Sequence, residues 1–123
     1  MLTGKYQPGQ APPEGTRARD AKGGADMIER WMSDDVLTGV QRLQPIADEI
    51  GLTMAQLAIA WVLQNPNIAA AIIGASRPEQ VAANVNASGV TLDADVLTAI
   101  DDAIGSLAER DPALSTSPET REA

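Results

Sequence analysis

The sequence predicts an α/β fold, and an incomplete one: four helices and a single strand whose neighbours the chain does not supply. Three observations carry this. The run Ala69 to Ile73, AAAII, is apolar at every position, the pattern of a short strand buried on both faces in a parallel sheet. Four other stretches combine helix-period apolar residues with start and stop signals. No further run in the chain reads as a partner strand, and a lone strand cannot pair its own N–H and C=O groups. Ala69 to Ile73 is therefore expected to show an open edge. The 123 residues read as a piece of a larger α/β sheet or barrel.

Residues 1–32 come first and hold little regular pattern. Pro8, Gly9, Pro12, Pro13, Gly15, Gly23 and Gly24 punctuate them, and apolar residues are sparse. Two readings stay open: a disordered arm, or a long functional loop that covers a ligand. Met27, Ile28, Trp31 and Met32 stand at helical spacing and predict a short amphipathic turn.

Ser33 is an N-cap candidate for the first long helix. Val36, Val40, Leu43, Ala47 and Ile50 then recur at intervals of 4, 3, 4 and 3, one stripe of a helix. Pro45 interrupts it, since an interior proline costs roughly 3 kcal/mol. Either a kink at Gln41 to Gln44 or two short helices resolves the conflict. Asp34 and Asp35 suit the positive end of this helix, and Gly51 stops it. Thr53 and Gln56 make a capping box for the next helix, with Leu52 and Leu57 as its staple. Met54 to Gln64 is apolar on several sides, as in a helix packed among other elements, and Asn65 and Pro66 end it. After the strand, a helix is expected from about Arg77 to Ala87. Asp93 caps the last one, with Leu92 and Leu97 as staple and Val96, Ile100, Ala103 and Ile104 as core stripe. Trp31 and Trp61 are expected to pack. From Gly105 on, the sequence is polar and aperiodic, giving a flexible tail over 106–123.

Composition narrows the function classes. The net charge is −8, which disfavours nucleic acid or an anionic membrane as partner. There are no cysteines and no histidines, so disulfides, thiolate nucleophiles and zinc sites are not expected. No apolar run reaches membrane-spanning length. No leader sequence is recognisable at the N-terminus, and a cytoplasmic location is the expectation.

The segment after the strand carries the chemistry. Gly74 and Ala75 make an exit with almost no side chain. Ser76 and Pro78 open a helix, and Gln80 and Asn84 lie one turn apart on one face of it. A strand, a small-residue turn and a helix N-terminus form an anion site. Ser76 has a plainer role open to it, as an N-cap boxed with Glu79.

Three stretches resemble the aldo-keto reductases. Met1 to Tyr6, MLTGKY, resembles the loop after the seventh barrel strand. Gly51 to Pro66, GLTMAQLAIAWVLQNP, is similar to the helix before the eighth strand. Ile72 to Asn84, with Gly-Ala-Ser followed by Gln and Asn at intervals of four, resembles the family's cofactor segment. That spacing is similar to the branch of potassium-channel β subunits and bacterial general-stress reductases. The resemblance implies the C-terminal part of a (β/α)8 TIM barrel, mostly helical with one strand, over residues 1–105. It implies NADP(H) as cofactor, reduction of aldehydes or ketones to alcohols as the parent reaction, and residues 1–32 as a cofactor-covering loop region. Carried over residue by residue, the cofactor contacts would be Lys5, Arg17, Gly74, Ala75, Ser76, Arg77, Gln80 and Asn84. A barrel of this type needs about 250 residues, so about the last two-fifths is expected here.

The departures from the family are equally informative. Its catalytic Asp, Tyr, Lys and His lie on earlier strands, and no position here matches them. Lys5 and Tyr6 match the cofactor loop, not the catalytic pair. The chain is therefore expected to carry the NADP-gripping end without the reacting end, and to be inactive alone. The alternatives are a non-catalytic module that binds a nucleotide or a partner, and a helical interaction protein without ligand. Self-association through the exposed strand edge is a further expectation.

Overall fold

A computed structural model describes residues 1–108 and contains six α-helices among them: α1 (Gly24–Ile28), α2 (Asp34–Gln41), α3 (Leu43–Glu49), α4 (Met54–Leu63), α5 (Pro78–Val85) and α6 (Ala94–Ile104). Short 3-10 turns cover Arg17–Arg19, Glu29–Trp31 and Gly105–Leu107. No strand occurs among the described residues.

Local signals set most boundaries. Ser33 caps α2, its Oγ accepting from Val36 N at 3.4 Å. Pro45 is accommodated by two helices rather than a kink. It falls in the first turn of α3, where backbone N–H groups have no intrahelical acceptor and a proline sacrifices nothing. The end of α3 closes as a Schellman motif: Leu52 N donates to Ala47 O at 2.9 Å and Gly51 N to Asp48 O at 3.2 Å. Gly51 has φ +70°, the left-handed conformation this motif needs. The Thr53–Gln56 capping box is complete, with Gln56 N donating to Thr53 Oγ1 at 3.2 Å and Thr53 N to Gln56 Oε1 at 2.9 Å. Asp93 occupies the N-cap position of α6, but its side chain makes no cap hydrogen bond.

The chain turns by 92° between the Asp34–Glu49 stretch and α4. This lets α6 pack on α2 and α3, while α4 packs on α3 and α5. The core is aliphatic: Val40, Leu43, Ala47, Met54, Leu57, Ala60, Leu92, Ile100, Ala103 and Ile104 form one cluster, with Leu52, Trp61, Val96 and Leu97 packed against it. Gly39 sits where α2 meets α6, and a Cβ there would press on the Leu107 side chain and lie 3.3 Å from Ala103 O. Any larger residue there would need the Leu107 side chain to move aside and α6 to give slightly.

Glutamine side chains fasten the remaining backbone. Gln56 Nε2 donates to Ala83 O at 2.8 Å, joining α4 to α5. Gln64 Nε2 donates to Val90 O at 3.1 Å and its Oε1 accepts from Leu92 N at 3.3 Å, holding the approach to α6.

Two expectations need correction, and two open alternatives are closed. Ala69 to Ile73 is not a strand: it runs outside any regular element, with Ile72 fully exposed and Ile73 42% exposed. A strand exists only with a ladder partner, and the described residues supply none. Second, residues 1–32 are not a disordered arm. Tyr6, Ile28 and Leu37 form a second small core with Met1, Ala18 and Met32 against it. Gly9 N also donates to Asp34 Oδ1 at 3.0 Å. The predicted turn near Met27 is present as α1 and the Glu29–Trp31 turn. Third, Trp61 packs, but Trp31 is 39% exposed, its ring beneath the Arg30 guanidinium at 4.1 Å. Fourth, Ser76 does not cap α5 in a box with Glu79. The N-cap is Arg77. Of the expected tail, residues 109–123 lie outside the described residues, and Leu107 packs back on Gly39.

Candidate functional site

Two helix N-termini and one loop meet at a single cleft. Thr53 and Ala55 bring the start of α4 to it, and Ser76, Gln80, Ala83 and Asn84 bring the start and first face of α5. Lys5, Tyr6, Gly15, Thr16 and Arg17 bring the N-terminal loop, and Gly74 and Ala75 close the side between α4 and α5. The cleft has a volume of about 640 Å³.

Of the eight residues expected at a site, seven line this cleft: Lys5, Arg17, Gly74, Ala75, Ser76, Gln80 and Asn84. Arg77 does not. It is the exposed N-cap of α5. Gln80 and Asn84 share a face because they are one turn apart, as their spacing implied. Lys5 and Arg17 are brought in by tertiary packing of the loop.

Electrostatics favour an anion. The lining holds two cationic side chains and no carboxylate, in a chain of net charge −8. Burial holds the Met1 amino group, also on the cleft, below its usual value, and the charges of Lys5 and Arg17 lower it further. The partial positive charge of the N-termini of α4 and α5 adds to this field. Lys5 Nζ lies 5.5 Å from the Tyr6 ring centroid.

The loop before α5 holds its donors around one oxygen. Gln80 Oε1 accepts from Ser76 N at 2.8 Å, from Ser76 Oγ at 3.2 Å and from Arg77 N at 3.2 Å. Three donors converging on one acceptor is the arrangement that receives an oxyanion. Here the side-chain amide of the same helix supplies the oxygen, so the Ser76 hydroxyl spends its proton on Gln80. The sequence places Ser76 among the implied cofactor contacts and gives no sign of this one. It also gives no sign of Thr53 as a cleft residue. Its capping pattern with Gln56 gave the helix start, and the direction in which that start faces came only with the fold. No cluster of metal-ligating side chains occurs among the described residues.

Comparison with known proteins identifies the family. The model of the "Aldo/keto reductase family" matches residues 1–104. The chain is 44% identical over 90 residues to a "Probable voltage-gated potassium channel subunit beta" of Arabidopsis thaliana, covering 73% of this chain and 27% of that protein. A protein of the same description from Oryza sativa subsp. japonica is 40% identical over 90 residues, with the same two coverages. An L-glyceraldehyde 3-phosphate reductase of Escherichia coli K12 is 31% identical over 102 residues, covering 82% of this chain and 29% of that protein. This chain belongs to the aldo/keto reductase family. It spans between 27% and 29% of the length of these relatives. The family implies a (β/α)8 barrel, of which the six helices described here form a portion.

Proposed function

We propose that this chain forms the part of an NADP(H)-dependent aldo-keto reductase that grips the adenine and 2′-phosphate end of the cofactor. The parent reaction is reduction of an aldehyde or ketone to an alcohol. One observation carries the reading: Lys5, Arg17, Ser76, Gln80 and Asn84 line one cleft that holds two cationic side chains and no carboxylate.

The residues suit the ligand. A 2′-phosphate brings negative charge and several acceptor oxygens. Lys5 and Arg17 supply positive charge, and the helix N-termini supply oriented N–H groups. The Ser76 and Arg77 donors that now meet Gln80 Oε1 would hold a phosphate oxygen, and the Gln80 amide and Asn84 would contact the adenine and ribose end. When bound, NADPH supplies the hydride of the reaction. The residues assigned here bind and orient it. The proton that must reach the carbonyl comes from a catalytic set that has no counterpart among them, and the sequence has no histidine.

The test is titration calorimetry with NADP, NAD and 2′-phospho-ADP-ribose. NADP and 2′-phospho-ADP-ribose bind, NAD binds at least ten-fold more weakly, and combined Ser76→Ala and Gln80→Ala abolishes the difference. Equal affinity for NAD and NADP, or an unchanged NADP affinity in the double variant, removes the assigned site.

A further inference from the structure

Gln41 stands behind the cleft, not in it. It lies in the last turn of α2, and its single amide nitrogen is 3.0 Å from Gly4 O and 3.0 Å from Tyr6 O. A primary amide has two N–H donors, and both are spent on the two carbonyls that flank Lys5. We propose that Gln41 is a positioning residue for the cofactor phosphate: it clamps the backbone on either side of Lys5 and so fixes where the Lys5 ammonium enters the cleft. This rests on the cofactor assignment made above.

One amide nitrogen holds Gly4 O and Tyr6 O together only while the four torsions between them, φ and ψ of Lys5 and of Tyr6, keep a combination that brings both carbonyls to it. The clamp therefore restrains the backbone of Lys5 together with that of Tyr6. It is held firmly at both ends. On the helix side, Leu37 and Val40 of α2 are buried in the two core clusters, and Asp34 accepts from Gly9 N at 3.0 Å. On the loop side, the Tyr6 ring is 3% exposed, its hydroxyl accepts from Ala18 N at 3.4 Å, and Gly4 N donates to Met1 O at 3.3 Å. Lys5 is the exposed residue between these anchors. A lysine side chain loses much rotamer freedom when it holds a ligand, and a fixed backbone reduces the volume it must search.

The experiment is a double-mutant cycle between Gln41→Met, which keeps the length and removes both donors, and Lys5→Met. Affinity for NADP is read by calorimetry and the fold by far-UV circular dichroism. Gln41→Met weakens NADP binding about ten-fold, the scale of one to two lost hydrogen bonds, and has no further effect in the Lys5→Met background. No loss in Gln41→Met, or the same loss in both backgrounds, overturns the proposal. A wild-type chain that binds no NADP removes the cofactor assignment, and the clamp is then judged without ligand. Trypsin cuts after Lys5 about ten-fold faster in Gln41→Met and in Gln41→Glu than in the folded wild type if the clamp holds that bond. An unchanged cleavage rate in both variants overturns it.

Discussion

Arg77 and Ser76 are neighbours in sequence with opposite fates in the fold. Ser76 faces the cleft and Arg77 stands outside it, because the backbone of Arg77 is extended, with φ −143° and ψ 144°, and successive side chains of extended backbone point to opposite sides. Its N–H still serves the site by donating to Gln80 Oε1, and that contribution does not depend on the guanidinium. Arg77→Ala should therefore leave NADP affinity within about two-fold, the effect of a screened charge outside the contact. Arg17→Ala should weaken it about ten-fold in low salt, and less as salt is raised. A calorimetric series from low to high ionic strength checks both. At this scale the sequence is readable where chemistry follows short spacing. Gln80 and Asn84 reach one cleft because they lie one turn apart on α5, and Ser76, outside the helix, joins them through its bonds to Gln80 Oε1. Gln41 and Thr53 escape such a reading because their partners, Gly4 with Tyr6 and the cleft wall, lie elsewhere in the chain.

The helices show how far local rules reach and where they stop. Thr53, Gln56 and Gly51 specify their caps from side chains within a few residues, so those boundaries are legible in the sequence itself. Thr53→Ala should destabilise the chain by about 1 kcal/mol. Pro45 is the sharper test. Within one continuous helix it would cost roughly 3 kcal/mol, and Pro45→Ala would stabilise by that order. In the first turn of α3 proline preorganises φ without losing a bond, so Pro45→Ala should destabilise by less than about 1 kcal/mol. Urea denaturation of both variants gives the signs. Ala69 to Ile73 marks the limit. Its five apolar residues record an environment buried on both faces, and sequence pattern reports the environment a segment is suited to rather than the one it has. With no ladder partner among residues 1–108, the same run lies outside any sheet, its two isoleucines exposed. Residues 1–32 lie at the other limit. Composition left disorder open, yet Asp34, Gln41 and the Tyr6–Ile28–Leu37 cluster tie the loop down through contacts distant in sequence, which no local pattern carries.

On the scale of the whole molecule, charged and apolar surface are carried by different residues. The cleft carries Lys5 and Arg17, Ile72 and Ile73 are exposed, and Trp31, Val36 and Trp61 line an apolar pocket. Exposed apolar side chains on backbone outside any regular element favour association with a second copy. Sedimentation should show concentration-dependent association that Ile72→Lys reduces, and a monomer at every concentration would oppose this. The division also bears on turnover. Carbonyl reduction needs a proton donor within hydrogen-bond reach of the carbonyl oxygen, placed while hydride arrives. Tyr6 is the single tyrosine, and no histidine exists to replace it. Its ring is packed against Ile28 and Leu37, and its hydroxyl already accepts from Ala18 N. It anchors the loop that presents Lys5. A phenol on a residue only 3% exposed is poorly placed to reach a carbonyl, and Lys5, exposed beside it, is the residue proposed above to meet the cofactor phosphate. The 123-residue polypeptide should therefore bind NADPH without oxidising it in the presence of aldehydes or ketones. The assay follows NADPH absorbance with highly purified protein across a panel of carbonyl substrates. Tyr6→Phe should leave that baseline unchanged while loosening the loop, seen as faster trypsin cleavage after Lys5. Turnover that persists through purification and is lost in Tyr6→Phe would mean that the loop tyrosine donates the proton, and that this portion of the barrel holds an active site of its own.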